Sequence, residues 1–327
     1  MAFFKKLMIL SSCFMLAFNI YAVNDLYSKE FDQSIEQLYH TIPDISKLNM
    51  QARLDQISSL FVGRPYILGS LGEGETGYFD QMTLYRTDGF DCETYVTSVL
   101  ALALANTPSE YKICLQKLRY KDGKISFTNR NHFTALDWNG NNQKQGYVKD
   151  ITRSFTDEKN QPVFKVAETV VNKPGWYQHL SSKSIRLNKP DFEEANKRLT
   201  QLQQRGSKLP VAKEKIDYLP LTALFDASGN PNLHLFMQIP NGAIIEIVRP
   251  NWDLTQAIGT HLNVSHLGFA FWKDGHLIFR QASSNLGKVV DVSLMDYLKD
   301  ALSSPTIKGI NVQTVAPEKP LNAECSL

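Results

Sequence analysis

The sequence predicts an α+β fold, with helices first and an antiparallel sheet afterwards. Amphipathic helical patterns recur between residues 28 and 205, whereas short apolar or alternating runs separated by turn residues follow residue 232. Between two of these runs lies Asp274-Gly275, a strong signal for a hairpin. Together these patterns favour helices packed on antiparallel strands.

Four helices are predicted from apolar residues at helical spacing. They cover Ser28 to Leu38, Ser46 to Phe61, Asp91 to Ala105 and Asp191 to Arg205. The third has the clearest apolar face and is expected to stop at Asn106, Thr107 and Pro108. Four residues of the last helix are expected to face inward: Phe192, Ala195, Leu199 and Leu202. Gly206 follows where a C-terminal cap is expected.

The remaining elements are a loop and four strands. Residues Gly69 to Gly77 form a Gly-rich loop, whose backbone can approach another surface closely and so suits the wall of a site. The predicted strands are Leu233 to Ile239, Ala243 to Val248, His266 to Trp272 and His276 to Arg280.

The composition is that of a globular protein and excludes one class of partner. The chain has 327 residues, 43% of them hydrophobic and 21% charged, which is enough for one large domain or two smaller ones. Lys and Arg total 35 against 33 Asp and Glu, so the net charge is only +2. With no basic stripe carrying interleaved aromatic residues, no nucleic acid partner is expected.

The N-terminus has the pattern of a targeting segment. Lys5 and Lys6 precede an apolar run from Leu7 to about Phe18, and Ala22 offers a small residue for cleavage. Residues 1–22 are therefore predicted to be a signal peptide, and the mature chain is expected to be exported to the periplasm.

Membrane attachment is the less favoured alternative. The stretch Leu10-Ser11-Ser12-Cys13 resembles a lipobox, but the apolar run continues beyond Cys13, which disfavours lipoprotein anchoring. No later stretch approaches the roughly 20 apolar residues that a membrane span requires. No stable membrane insertion is therefore expected after signal cleavage.

The cysteine count predicts an unpaired thiol. Removal of Cys13 with the signal would leave Cys92, Cys114 and Cys325, an odd number, in an oxidising compartment. At least one of them must stay unpaired or pair between chains, and all three could be free structural thiols. The sharper hypothesis pairs Cys114 with Cys325 or leaves both reduced, and keeps Cys92 free for chemistry. The sequence alone does not choose the pairing.

Cys92 is the candidate nucleophile. It lies at the start of the third predicted helix, where unpaired backbone N–H groups and the helix dipole favour a thiolate and can later stabilise an oxyanion. A base must lie within hydrogen-bond reach, and a third polar group must orient it. His266, at the start of a predicted core strand, is the candidate base. Gln281, on the adjacent strand, can offer its amide oxygen to the ring N–H.

The order of the motifs resembles a known family. Gly63-Arg64-Pro65-Tyr66, Asp91-Cys92, Pro240-Asn241-Gly242-Ala243-Ile244-Ile245 and His266-Leu267-Gly268 occur in the order found in NlpC/P60 papain-like cysteine peptidases. The closer resemblance is to the DUF1460 branch, the N-acetylmuramoyl-L-alanine amidase-like family. It rests on Gly89-Phe90-Asp91-Cys92-Glu93-Thr94-Tyr95-Val96, on Arg130-Asn131-His132-Phe133 with Trp138, and on Val264-Ser265-His266-Leu267-Gly268.

The resemblance implies a fold and a reaction. The fold would be papain-like, with a nucleophile helix packed on an antiparallel sheet, and residues 23–327 would form one NlpC/P60-like catalytic domain with a helical N-terminal part. Members of the family cut the amide bond between N-acetylmuramic acid and L-alanine in muropeptides, which makes these peptidoglycan fragments the expected partner. Tyr66 and Asp91 match positions that contact substrate in NlpC/P60 enzymes. Asp91 also fits a helix cap.

The chain departs from the family pattern in two respects. Residues 92 and 266 are 174 positions apart, which implies a large insertion at about residues 107–232. The third catalytic position, commonly His in relatives, is Gln281 here, and papain-like enzymes accept a neutral amide there. Arg130 and His132 either line the site or brace the inserted region, and the second interpretation is favoured.

Other chemistries and functions are weighed against this hypothesis. Without a His-Glu-x-x-His or a paired Cys-x-x-Cys motif, neither a catalytic metal nor another cofactor is expected. No Gly-x-Ser-x-Gly motif supports a serine hydrolase. A D-glutamyl endopeptidase that cuts within the stem peptide and an inactive cell-wall-binding module remain the alternatives.

Overall fold

A computed structural model describes residues 30–327 of the protein. The predicted signal peptide, residues 1–22, and the lipobox-like Cys13 lie outside these residues. Among the described residues, no helix is both long and apolar enough to cross a membrane.

Within residues 30–327, eight strands form one antiparallel sheet. The strands are β1 (Val148–Asp150), β2 (Lys165–Asn172), β3 (Val211–Pro220), β4 (Ala243–Leu254), β5 (Thr260–Lys273), β6 (His276–Ser283), β7 (Lys288–Ser293) and β8 (Gly309–Val315). Their order is β2-β3-β8-β4-β5-β6-β7, and β1 pairs with β8. The last strand along the chain therefore lies between β3 and β4 and joins them in one sheet.

The helices surround this sheet. They are α1 (30–41), α2 (Met50–Ser59), α3 (Cys92–Leu104), α4 (Pro108–Arg119), α5 (Gly140–Lys144), α6 (Lys173–His179), α7 (Phe192–Gly206), α8 (Leu221–Leu224), α9 (Leu233–Phe236), α10 (Thr255–Ile258) and α11 (Leu294–Asp300). A π-helical segment spans Thr134–Asn139. The predicted α+β class with an antiparallel sheet is confirmed.

The sheet has an apolar cluster on each face. On one face, Ile244, Leu267 and Phe269 pack in a cluster with α3, whose residues from Tyr95 to Leu104 are almost all fully buried. The opposite face buries another set of apolar residues beneath α8, α9 and α11. Burial of apolar surface on this scale is the main force that stabilises the fold, and it fixes α3 against β5 and β6.

Two short polar residues change the predicted helix boundaries. The Asn49 side chain accepts the backbone N–H of Ala52 at 2.9 Å, so α2 begins at Met50 and not at Ser46. Thr107 was expected to stop α3, but its hydroxyl accepts the N–H of Glu110 at 3.2 Å and begins α4, a helix that the sequence analysis missed.

Three further expectations were wrong. Leu233 to Ile239 was predicted to be a strand, but Asn232 caps a short helix, α9, at this position. Phe192 is 74% exposed, because it lies at the very start of α7, whereas Ala195, Leu199 and Leu202 pack inward as predicted. Gly206 is the last residue of α7 and not its cap. Glycine is required there because a Cβ atom would come within 2.0 Å of the Tyr177 ring.

The hairpin and the disulfide complete the frame. Asp274 and Gly275 both have positive φ, 48° and 79°, as the predicted tight turn between β5 and β6 requires. Cys114 and Cys325 form a disulfide that links α4 to the C-terminal segment, and Cys92 is the free cysteine of residues 30–327.

Candidate active site

The start of α3 is fixed by a reciprocal hydrogen-bonded cap. The Asp91 carboxylate accepts the backbone N–H of Thr94 at 2.8 Å, and the Thr94 hydroxyl accepts the backbone N–H of Asp91 at 2.9 Å. The second carboxylate oxygen of Asp91 accepts the N–H of Gly69 at 2.9 Å, which ties the Gly-rich loop to the helix. Asp91 is thus a helix cap, and its contact with a substrate stays a prediction.

Cys92 is the first residue of α3 and is partly exposed. Burial raises the pKa of its thiol to about 12. The carboxylates of Asp91 and Glu93 act in the same direction, whereas backbone hydrogen bonds from Leu267 and Glu93 oppose them. The helix terminus was expected to favour a thiolate, but here desolvation and two adjacent carboxylates outweigh it. The resting side chain of Cys92 is therefore a neutral thiol.

His266 and Gln281 form the predicted hydrogen bond. Nε2 of His266 donates to Oε1 of Gln281, which is buried on β6. Because an amide oxygen only accepts, Nε2 carries the proton of the neutral ring and Nδ1 is left as its basic nitrogen. Burial lowers the pKa of His266 to about 4, against the opposing effect of the Gln281 hydrogen bond.

The thiol lies beside the strand that carries this histidine. The backbone of Leu267, the residue after His266, lies close enough to the Cys92 sulfur to oppose the rise in the pKa of the thiol. Gly268 follows, and a Cβ atom there would lie 2.6 Å from the Phe279 ring and 2.7 Å from the Arg280 carbonyl oxygen. Glycine therefore allows β6 to approach β5 closely enough for Gln281 to reach His266.

Tyr66 forms a second wall of the site. Its backbone N–H donates to the Gly287 carbonyl oxygen at 2.8 Å, and it pairs with Phe90 one residue before the cap. Burial raises the pKa of the Tyr66 hydroxyl to about 12, and electrostatic interactions with Cys92 and Asp91 add to the effect. The phenol thus lies within electrostatic range of the Cys92 thiol. Its contact with substrate remains a prediction.

The Gly-rich loop is held by arginines. Arg186 donates to the carbonyl oxygens of Gly69, at 2.5 Å, and Leu71, at 3.1 Å, and it pairs with Asp80 at 2.5 Å. Arg130 pairs with Glu73 at 2.7 Å and with Asp80 at 2.9 Å. We call these four charged residues, Glu73, Asp80, Arg130 and Arg186, the loop clamp. They hold the wall beside α3.

His132 lies next to the loop clamp and not beside Cys92. Its Nε2 hydrogen-bonds to the Phe127 carbonyl oxygen at 2.7 Å, and its ring packs between Phe127 and Trp176, each with its centroid 4.7 Å away. Burial, and then the charge of Arg130, lower the pKa of His132 well below its ordinary value. These contacts support the bracing role favoured from the sequence for Arg130 and His132.

Two residues near the site were missed by the sequence analysis. Tyr297 on α11 stacks edge-on against Phe279 at 5.2 Å, and the ring of Phe279 lies 5.9 Å from that of His266. Burial raises the pKa of Tyr297, and the charge of Cys92 contributes in the same direction. Arg249 donates to the hydroxyl of Ser265, which precedes His266, at 3.0 Å. Neither residue belongs to a local motif, because both reach the site only through tertiary packing.

The donor set of the site does not suggest a metal. Within the described part of the chain, no group of three or more His, Cys, Asp or Glu residues is placed to hold a metal ion. The arrangement of a thiol, an imidazole and an amide can perform nucleophilic catalysis with proton transfer.

Comparisons with known proteins show the family of the chain. The family described as AmiA-like, N-acetylmuramoyl-L-alanine amidase-like, matches residues 56–307. The chain belongs to this family. Membership in an amidase-like family indicates a hydrolase acting on peptidoglycan. Among curated proteins, none matches the chain.

Solved structures support the assignment to this family. A DUF1460 protein from Legionella pneumophila is 56% identical, with a TM-score of 0.87, over 90% of this chain and 97% of its own. An N-acetylmuramoyl-L-alanine amidase from Bacteroides uniformis is 26% identical, with a TM-score of 0.56, over 82% and 99%. A Bacteroides fragilis protein provisionally assigned as a xylanase is 28% identical, with a TM-score of 0.54, over 78% and 97%.

Proposed function

We propose that the protein is an exported cysteine amidase that hydrolyses the bond between N-acetylmuramic acid and L-alanine in muropeptides. The observation that carries the proposal is a free thiol at the start of α3, beside the strand on which His266 is oriented by Gln281. We also propose that the helix and sheet are those of a papain-like NlpC/P60 enzyme.

The first half of the reaction forms a thioester. Nδ1 of His266 removes the thiol proton while the Cys92 sulfur attacks the lactyl carbonyl carbon. The backbone N–H of Cys92, which has no acceptor within the helix, is available to the oxyanion. The carbon–nitrogen bond then breaks, and the imidazolium gives its proton to the alanine nitrogen, which leaves with the stem peptide.

The second half returns the enzyme to its resting state. Water gives a proton to His266 and attacks the thioester carbonyl, and the muramic acid leaves as a free carboxylic acid while the sulfur is reprotonated. Because the pKa values of Cys92 and His266 lie near 12 and 4, the resting pair is neutral between them. The thiol is thus activated by the base during attack. Tyr66 is proposed to contact the substrate beside the sulfur.

The disulfide supports export. Bonds such as Cys114–Cys325 persist mainly in oxidising compartments, including the periplasm. We therefore retain the expectation of a periplasmic enzyme whose signal peptide is removed.

A digest of defined muropeptides tests the proposal. The wild-type protein and the Cys92→Ala variant are incubated with N-acetylmuramoyl tripeptide and tetrapeptide, and the products are identified by mass spectrometry. An amidase releases an intact stem peptide with a free alanine amine, and Cys92→Ala releases none. A peptide cut after the second residue would instead establish the D-glutamyl endopeptidase.

Thiol labelling separates an enzyme from a binding module. Iodoacetamide is added across the pH range without reductant, so that the disulfide protects Cys114 and Cys325, and the labelled cysteine is located by peptide mapping. If no muropeptide is cut and Cys92 reacts like an ordinary thiol, the inactive cell-wall-binding module is the better description.

A further inference from the structure

Arg249 is a cation with no acidic partner among residues 30–327. Its Nε donates to the Ser265 hydroxyl at 3.0 Å, and its Nη1 donates to the Thr306 hydroxyl at 2.8 Å. Its guanidinium carbon lies 4.4 Å from the centre of the Trp252 ring. The side chain is therefore held in one place by uncharged groups, and it is only partly exposed.

Two other enclosed arginines of the described chain are neutralised by carboxylates, whereas the buried Arg53 is bound by backbone carbonyl oxygens. Arg130 contacts the carboxylates of Glu73 and Asp80, and Arg280 contacts those of Asp55 and Asp291. A partly desolvated guanidinium stays charged, because its pKa is too high for deprotonation. Such a cation is stabilised when an anion binds to it, and a planar guanidinium suits a carboxylate in particular.

Arg249 is bonded to the residue that precedes the candidate base. Ser265, to which it is bonded, directly precedes His266. The Tyr297 hydroxyl lies within electrostatic range of both Arg249 and Cys92. Arg249 is therefore on the histidine side of the nucleophile. This is the side of the leaving group, because the imidazole must protonate the departing nitrogen.

The leaving group of the proposed reaction carries negative charges that could pair with Arg249. The muramic acid side has no anion while its lactyl carboxyl is in the amide bond. The stem peptide has its first carboxylates on the residue after L-alanine. We propose that Arg249, held by Ser265 and Thr306, binds a carboxylate of this second stem residue and makes the enzyme selective for acidic stem peptides. The inference rests on the proposed amidase function.

Three synthetic substrates test the proposal. They are N-acetylmuramoyl-L-alanine extended by D-glutamate, by D-isoglutamine, which replaces the α-carboxylate with an amide, or by D-glutamine, which replaces the γ-carboxylate. One of the two amides should lower kcat/KM on the order of 10- to 100-fold, and it identifies the carboxylate that is bound. Arg249→Met should abolish this discrimination, and Arg249→Lys should retain part of it.

The ratio of rates within one variant separates recognition from folding. A damaged fold lowers kcat/KM for all three substrates alike, whereas loss of recognition changes only their ratio. Arg153→Met is the matched control, because it removes an exposed arginine paired with Asp217. Equal cleavage of the three substrates by the wild type, or discrimination that persists in Arg249→Met, would overturn the proposal.

A binding measurement distinguishes failure of this inference from failure of the amidase. If the wild-type protein cleaves none of the substrates, the proposed function is wrong, and calorimetry with Cys92→Ala then decides about Arg249. The acidic compound should bind 10- to 100-fold more tightly than one of its amides. Cys92→Ala combined with Arg249→Met should bind all three equally. Equal dissociation constants in Cys92→Ala itself would contradict the proposal.

Discussion

His132 and His266 have the same protonation state but different surroundings. Each is enclosed so that burial lowers its pKa, and each hydrogen-bonds through Nε2 to an oxygen atom. His132 packs between two aromatic rings beside the loop clamp, whereas the strand of His266 passes the sulfur of Cys92. A lowered pKa therefore does not distinguish the two histidines, whereas the position of the Cys92 sulfur beside the strand of His266 does.

Matched glutamine substitutions should have opposite effects at the two histidines. We expect His266→Gln to lower kcat/KM by about 10²- to 10⁴-fold, the usual contribution of general acid–base catalysis, with little change in stability. We expect His132→Gln to lower the free energy of unfolding by about 1–3 kcal/mol and to leave kcat nearly unchanged. Muropeptide kinetics and urea denaturation measure the two quantities. The reverse pattern would show that His132, and not His266, takes part in catalysis.

The loop clamp should dominate stability on the His132 side. Arg130→Met leaves Glu73 and Asp80 with less compensation in a buried setting, and we expect a loss of about 3–5 kcal/mol in the free energy of unfolding. The control is Arg153→Met, whose exposed ion pair should contribute less than about 1 kcal/mol. Equal losses in urea denaturation would show that the clamp does not stabilise the wall.

Gln281 should influence the pH range over which His266 stays unprotonated. Because the pKa of His266 is lowered to about 4, the imidazole stays unprotonated and active until the pH falls to that value. Gln281→Glu places a negative charge beside the ring of His266, which should raise this pKa. Activity should therefore be lost at a higher pH when the solution is acidified. Gln281→Ala should lower kcat by about tenfold or more. If the acid limb of the pH–activity profile does not move in Gln281→Glu, then Gln281 does not control the pKa of His266.

Glu93 should have the smallest effect. Its carboxylate contributes to the raised pKa of Cys92, although burial is the larger cause and Asp91 contributes more. Glu93→Gln removes this charge, so the thiolate fraction at a given pH should rise by up to about tenfold, one pKa unit. The rate of iodoacetamide labelling at pH 7 to 9 measures the change. Slower labelling in Glu93→Gln would contradict the assigned sign.

The local parts of the site were predictable from the sequence. Asp91 before an apolar helical stretch predicts the cap of α3, and the capping box is present. Asp274-Gly275 predicts the turn that places β6 beside β5, and this pairing brings Gln281 to His266. In each case the signal lies within a few residues, because caps and two-residue turns are decided by local backbone geometry.

Other elements were mispredicted because their local sequences fit more than one type of secondary structure. Leu233 to Ile239 is apolar enough for a strand, and the Asn232 cap together with burial of Leu235 and Phe236 selects a short helix. Thr107 and Pro108 fit the end of one helix as well as the beginning of another. Short apolar runs do not distinguish helix from strand by periodicity alone.

The sequence by itself determined the class of fold, the start of α3 and the pairing of His266 with Gln281. Only the tertiary structure decided the charge state of Cys92, the bracing contacts of His132 and the approach of Arg249 and Tyr297 to the site. Desolvation and electrostatic interactions depend on which atoms surround a group in space, and these atoms come from residues far apart along the chain. The helix start alone favoured a thiolate, and the folded surroundings made a neutral thiol.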